Sequence, residues 1–173
     1  MVEPAGVASG VTRRQANLSG FAVVAAMMAF ALYAQYVEHL SPCNMCMLQR
    51  IGVIGLGASF LLAALHNPGR VGAYCYALLI AVAALITAGL AGRQVWMQLQ
   101  PAGSLPSCGA DFWSMLDMMP FVEVATRILK GGAECQAITW SLFGLSMAAW
   151  VLIAAAVLGI GGIAANLRCR GPR

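Results

Sequence analysis

Four long apolar runs dominate the chain, and each is bounded by charged or turn-forming residues. A helix of about 20 apolar residues is long enough to cross the hydrocarbon core of a bilayer. Backbone polar groups in lipid must be satisfied within the protein, so these runs are predicted to be helices rather than open strands. The sequence therefore predicts an all-α membrane protein, a bundle of four transmembrane helices with spans at about 18–36, 46–65, 71–92 and 138–167.

The composition excludes a soluble globular fold. Of the 173 residues, 61% are hydrophobic and only 9% are charged, whereas soluble domains carry roughly a quarter charged residues. The net charge of +4 is scattered along the chain without a repeated basic face, which argues against nucleic acid as a partner. We expect a single integral membrane domain over residues 1–173.

The distribution of Lys and Arg predicts the orientation, because loops rich in these residues remain in the cytoplasm. The loop at 37–45 holds neither residue type, and the loop at 93–137 has three basic residues against four acidic ones. Both loops are therefore predicted to face outward, with both termini in the cytoplasm. The arginines assigned to the cytoplasmic side are Arg13, Arg14, Arg70, Arg168, Arg170 and Arg173.

The first apolar run has a second interpretation, as a cleaved signal peptide. Arg13 and Arg14 would form its charged region, and Ala29-Phe30-Ala31 would be an acceptable cleavage site. The same arginine pair faintly resembles a twin-arginine signal. We expect a retained helix, and either interpretation leaves the following cysteines on the outer side.

The long outer loop is predicted to contain a short helix. Pro120 fits its first turn, Leu129 lies near its end, and Gly131-Gly132 terminates it. One interpretation places this helix in the membrane interface, with Phe121, Val124, Ile128 and Leu129 dipping into lipid. The other packs the loop on the helix bundle, and the sequence favours neither.

A close pair of cysteines, Cys43-Asn44-Met45-Cys46, lies at the outer edge of the second apolar run. Cys46 is near the N-terminus of the predicted helix, where the helix dipole favours a thiolate. Arg50 lies four residues on, on the same helical face and about 6 Å deeper along the axis. An arginine within a span is a functional candidate by default, and the alternative is a side chain that snorkels to the headgroups.

Two further cysteines, Cys108 and Cys135, lie in the long outer loop next to glycines. Two cysteines in one loop on an oxidising side usually form a disulfide, and flexible flanks keep such a bond open to exchange. These positions favour a relay in which a thiol attacks the loop pair, Cys43 and Cys46 reoxidise it, and a membrane quinone takes the electrons. Arg50 would then donate hydrogen bonds to a quinone carbonyl.

The whole chain resembles the disulfide-bond formation protein B (DsbB) family. The resemblance rests on the four spans, the outward Cys43–Cys46 motif followed by Arg50, the second cysteine pair in the long loop, and Arg93-Gln94-Val95-Trp96-Met97-Gln98 ahead of Pro101. It implies a protein-disulfide:quinone oxidoreductase of the bacterial inner membrane, with ubiquinone or menaquinone as electron acceptor and its cysteines on the periplasmic face. It also implies a DsbA-like periplasmic thiol oxidase as partner.

The resemblance assigns a role to each cysteine. Cys108 would form the mixed disulfide with the DsbA-like protein. Cys135 would pair with Cys108 in the loop disulfide and could form a disulfide with Cys43 during the relay. Cys46 would face the quinone, assisted by Arg50.

Gln94 is where the chain departs from the family pattern, because many members have histidine there. Gln94 is a candidate for the quinone site, since glutamine can donate a hydrogen bond, but it cannot titrate. Arg93 and Gln94 could line the same pocket, or they could anchor the helix at the interface with Trp96.

Two other functions are compatible with the cysteine pattern. Cys43, Cys46, Cys108 and Cys135 could bind a structural zinc, although an oxidising compartment argues against four thiolates and we predict no metal. The chain could also be a paralogue dedicated to one client, or a reductase running in the reverse direction. Cys75 is expected to be a small buried hydrophobe.

Overall fold

The computed structural model describes residues 11–101, 104 and 110–169. Four of its helices are long and apolar enough to cross a membrane, which confirms the predicted all-α, four-helix membrane fold. The long helices are α1 (Arg13–Tyr36), α2 (Asn44–His66), α3 (Arg70–Gln98) and α6 (Met147–Arg168). Two short helices lie between α3 and α6, namely α4 (Phe112–Met118) and α5 (Phe121–Lys130).

Several ends of the long helices have a recognisable local signal. Thr12 and Gln15 form a capping box at the start of α1, since the side chain of each accepts a hydrogen bond from the backbone N–H of the other. Asn67 adopts the left-handed conformation (φ 40°) and ends α2. The chain turns there, and α3 starts a short distance later, at Arg70. The Ser146 hydroxyl accepts from the Ala149 N–H at 3.3 Å and caps α6.

The fourth long helix starts later than its apolar run. Residues from Ile138 onward were predicted to be helical, but α6 begins at Met147. Before it, two short antiparallel strands, β1 (Ser141–Leu142) and β2 (Leu145–Ser146), form a hairpin. Phe143 and Gly144 at its tip have φ of 53° and 77°, and two successive positive values are characteristic of a type I′ hairpin turn.

The third long helix extends further than predicted. It was expected to end near Gly92, but α3 runs to Gln98. Arg93 and Gln94 therefore lie on a helix rather than in a loop. Because α3 is longer than predicted, Gln94 is part of the helix and lies beside the N-terminus of α2.

The core of the bundle lies where α2 packs between α1 and α3, and where α6 packs against α3. Phe60 of α2 is 2% exposed and belongs to a buried cluster with Val24, Ile80 and Ala84. Cys75, expected to be buried, is instead exposed on α3, because the helix turns its alanine-rich side, with Ala73 and Ala77, to the core.

The long loop folds onto the end of the bundle that carries Cys43 and Cys46. Val124 and Ile128 of α5 are fully buried, in a cluster with Met45, Leu48 and Met97. The idea that these two side chains dip into lipid was therefore wrong, since they pack against α2 and α3. The predicted helix itself is present, preceded by Pro120 and followed by Gly131 at φ 99°.

Candidate functional site

The first turn of α2 holds the two cysteines of the predicted redox pair together. Cys43 is the N-cap residue, and its sulfur accepts a hydrogen bond from the Cys46 N–H at 3.3 Å. The two sulfurs are 2.8 Å apart, so little movement separates this arrangement from a disulfide. Both thiols are partly buried and lie where the positive end of the helix dipole stabilises a thiolate.

Gln94 connects α3 to both cysteines. Its side-chain amide donates to the sulfurs of Cys43 and Cys46 at 3.4 Å each. Its carbonyl oxygen accepts a hydrogen bond from the side-chain amide of Gln49, one turn below Cys46 on α2. Gln94 is 4% exposed, so it is a buried donor aimed at the sulfurs rather than an interfacial anchor.

Arg50 reaches across to α1. Its guanidinium donates to the Gln35 side-chain oxygen and, at 3.1 Å, to the carbonyl oxygen of Ala31. The side chain is partly buried and lines the same cavity as Cys46. This placement favours a role in the site over snorkelling, because the charged group is held between helices.

An apolar cavity of about 120 Å³ opens beside the cysteine pair. Apolar side chains form more than half of its lining, including Met27, Met28, Val53, Trp140 and Val151. Its polar groups include Cys43, Cys46, Arg50, Gln35 and Gln94. The cavity therefore combines an apolar wall, a guanidinium and two thiols in one space.

Cys135 joins the pair from the long loop. It lies at the end of a single 3₁₀ turn, Ala133–Cys135, and is fully buried against the first turn of α2. A hydrogen bond from the Cys43 thiol lowers the pKa of Cys135 to about 7, despite the opposing effect of burial, and the backbone N–H of Met45 adds to the lowering. The same hydrogen bond is the main reason that the pKa of Cys43 is raised. In this arrangement Cys135 is the thiolate and Cys43 the donor.

The structure thus brings together Cys43, Cys46 and Cys135, three of the four predicted redox cysteines. Cys108 lies outside the described residues, so its pairing with Cys135 stays a prediction.

Arg93 does not reach the cysteines and has a structural role. Its guanidinium donates to the backbone oxygens of Leu129 at 3.1 Å and Lys130 at 3.2 Å. It also lies 4.2 Å from the ring centre of Trp96. Arg93 therefore satisfies the last carbonyls of α5 and ties that helix to α3.

Gln35, Gln49 and Trp140 are among the cavity residues that were not predicted from the sequence. Gln35 and Gln49 are polar positions at the outer ends of apolar runs, and that placement was a usable signal. Trp140 gave no such signal, because it belongs to a segment that was predicted to be transmembrane. In the structure its ring packs edge-on against Phe30, with centres 5.4 Å apart.

The sequence matches the family model of disulfide bond formation protein DsbB over residues 13–165. The chain belongs to the DsbB family. Proteins called disulfide bond formation protein B resemble it closely in three bacteria. The protein of Nitrosococcus oceani is 44% identical over 82% of this chain and 83% of its own length. The protein of Hahella chejuensis is 42% identical over 94% of this chain and 98% of its own length. The protein of Chromobacterium violaceum is 44% identical over 83% of this chain and 86% of its own length.

Membership of the DsbB family supports a role in disulfide bond formation, and the gathered thiols are the chemistry that such a role needs. The four long apolar helices make this DsbB-family chain a multi-pass membrane protein. The three gathered thiols therefore lie at one end of a membrane bundle.

Proposed function

We propose that the protein reoxidises a DsbA-like periplasmic dithiol oxidase by thiol–disulfide exchange and passes the electrons to a membrane quinone. The observation that carries this proposal is the single apolar cavity that Cys43, Cys46 and Arg50 share between membrane helices. A pair of thiols in that position would lie close to an acceptor that enters from the bilayer.

The chemistry of the cavity lining suits the head group of a quinone. Its volume of about 120 Å³ is of the order of the ~150 Å³ apolar cavity that admits one benzene ring. Arg50 supplies N–H donors suited to a carbonyl oxygen, and the apolar wall suits the ring. A bound quinone accepts two electrons and two protons, and here Cys46 would be the thiol nearest to it.

The exchange steps need no reagent other than the thiols and disulfides of the two proteins. A thiolate of the partner attacks a Cys108–Cys135 disulfide at Cys108, and the Cys135 thiolate leaves. The second thiol of the partner then attacks the mixed disulfide, which leaves the partner oxidised and Cys108 reduced.

The loop pair is reoxidised in the same manner. Cys135 attacks Cys43 of the Cys43–Cys46 disulfide, and the Cys46 thiolate leaves. Cys108 then attacks the bridge between Cys43 and Cys135, which re-forms the loop disulfide and leaves Cys43 reduced.

The contact between Cys135 and Cys43 supports the crossing step. Exchange needs a thiolate on the attacking sulfur, and Cys135 is buried against the first turn of α2, beside the sulfur that it would attack. The hydrogen bonds from Gln94 at 3.4 Å suit the sulfurs of Cys43 and Cys46 when either leaves as a thiolate.

This function requires the cysteines to face the periplasm. The excess of arginine at the opposite end of the bundle, at Arg13, Arg14, Arg70 and Arg168, supports that orientation and cytoplasmic termini in the bacterial inner membrane.

The decisive experiment measures quinone reduction by the purified protein, driven by a reduced DsbA-like protein. Cys46→Ser should abolish turnover because the pair can no longer form a disulfide. Arg50→Ala should chiefly raise the KM for quinone, since it removes a donor from the cavity. Cys75→Ser and Cys169→Ser, far from the pair, are the matched controls and should keep full activity.

Full turnover in Cys46→Ser would contradict the proposal. Stoichiometric zinc with four reduced cysteines in the purified protein would identify a metal-binding protein instead. The orientation is checked with a membrane-impermeant thiol reagent on reduced spheroplasts. Labelling of Cys169 without labelling of Cys108 would show the opposite topology.

A further inference from the structure

A second, polar cleft lies at the end of the bundle opposite the cysteine pair. Its volume is about 380 Å³, and Arg13, Arg70 and Arg168 all line it. These residues come from three different helices, α1, α3 and α6, so the cleft exists only in the folded bundle.

Arg13 is the buried charge of this cleft. The residue is only 6% exposed. Its two terminal nitrogens donate to the backbone oxygens of Pro68 at 2.8 Å and Cys169 at 3.2 Å. The Nε atom is buried and has no partner among the described residues. Both acceptors are neutral, so among the described residues this buried guanidinium has hydrogen bonds but no opposite charge, which is costly.

The described residues around the cleft add positive charge and no negative charge. The chain has six acidic residues. Glu3 lies outside the described residues, and the other five belong to the loops at the cysteine end. Arg70 and Arg168 are exposed at the mouth of the cleft. The N-terminus of α3 also opens here, and its cap, Gly69, provides no side-chain hydrogen bond.

We propose that this cleft is a binding site for a phosphate-bearing anion. Guanidinium groups form paired hydrogen bonds with phosphate oxygens, and the first N–H groups of a helix also favour phosphate. The phosphate of an anionic lipid headgroup and free inorganic phosphate share this chemistry. A basic pocket between helices at a membrane surface favours the lipid. The site is independent of the redox chemistry at the other end.

The test uses the purified full-length protein in neutral detergent. Native mass spectrometry counts bound phosphatidylglycerol and, in parallel, bound phosphatidylcholine at the same concentrations. The double variant R70Q/R168Q removes the two exposed charges and leaves the buried Arg13 contacts in place. R14Q is the matched control, because Arg14 is an exposed arginine at the same end that does not line the cleft.

We expect phosphatidylglycerol to bind the wild type and R14Q at least about tenfold more tightly than R70Q/R168Q. Phosphatidylcholine should bind all three equally. A second arm measures the unfolding midpoint with inorganic phosphate against chloride at equal ionic strength. A rise in the wild type that is absent in R70Q/R168Q would identify free phosphate as a sufficient ligand. No rise, together with weaker phosphatidylglycerol binding in R70Q/R168Q, would assign the site to the lipid. Equal phosphatidylglycerol affinity in R14Q and R70Q/R168Q, without a phosphate effect, would overturn the proposal.

Discussion

Among single residues, Gln94 has the most direct contact with both sulfurs of the redox pair. Replacing it with leucine removes the two N–H···S hydrogen bonds and leaves the Gln49 amide without its acceptor. A hydrogen bond to a charged group contributes about 1.5–3 kcal/mol, so quinone reduction in Gln94→Leu should fall at least about tenfold.

Gln94→His separates hydrogen bonding from titration at this position. A histidine ring keeps one N–H donor, so this variant should retain more activity than Gln94→Leu. Gln100→Leu, just beyond the end of the same helix and away from the sulfurs, is the control. Steady-state quinone reduction measures all three, and wild-type rates in Gln94→Leu would show that the amide is dispensable.

Cys135 should titrate close to neutral pH. Its pKa is lowered to about 7, so its thiolate fraction should rise as pH increases through that value and fall below it. The reduced protein is alkylated from pH 5 to 10 and modification of Cys135 is quantified by peptide mass spectrometry. Burial slows the reaction but leaves the midpoint unchanged. In Cys43→Ala the thiol donor is lost, and the midpoint should move upward. A wild-type midpoint near the ordinary thiol value of about 8.5 would contradict this hydrogen bond.

Among the elements, α5 should be stabilised by the packing of its buried face rather than by contact with lipid. Ile128 is fully buried in the cluster with Met45 and Met97, whereas Val122 on the same helix is 73% exposed. Ile128→Ala should destabilise this region by about 2–4 kcal/mol, and Val122→Ala by less than about 0.5 kcal/mol. Hydrogen exchange of the α5 amides and thermal unfolding measure the difference. Equal protection in both variants would mean that α5 is not held by this cluster.

The sequence predicted α5 well because its ends have strong local signals. Pro120 and Gly131 mark its limits, and the structure places the helix between them. Which way its apolar face points was not predictable, because lipid and a hydrophobic cluster favour the same side chains.

The hydropathy pattern predicted the wrong end for α3 and the wrong start for α6, for opposite reasons. Arg93 and Gln94 looked like loop residues, but their polar groups bond to α5 and to the sulfurs, so the helix continues through them. The apolar stretch after Ile138 looked transmembrane, but Phe143 and Gly144 turn the chain into a hairpin. The sequence alone identified Cys46 and Arg50, whereas their shared cavity depends on how α1 and α6 pack around them.

At the scale of the whole molecule, the bundle closes around Phe60. A Cβ atom added at Gly20 of α1 would lie 2.7 Å from the Phe60 ring, and one added at Gly162 of α6 would lie 2.8 Å from it. Ile80 of α3 is equally close to the Gly162 position, at 2.8 Å. Two glycines therefore let α1 and α6 approach the same aromatic ring, as small residues commonly do between membrane helices.

Gly162→Ala should loosen this junction, while Gly161→Ala should not. No atom lies within 4 Å of a Cβ built at Gly161, and alanine favours a helix over glycine by about 1 kcal/mol. Overpacking at Gly162 costs about 1–3 kcal/mol, and a chain of this size loses roughly 2–4 °C in Tm per kcal/mol. Thermal unfolding in detergent should therefore show a lower Tm for Gly162→Ala, and an equal or higher Tm for Gly161→Ala, than for the wild type. Because both substitutions add one methyl group to neighbouring positions of α6, equal Tm values would mean that Phe60 and Ile80 can move aside and that this contact does not set how closely the helices pack.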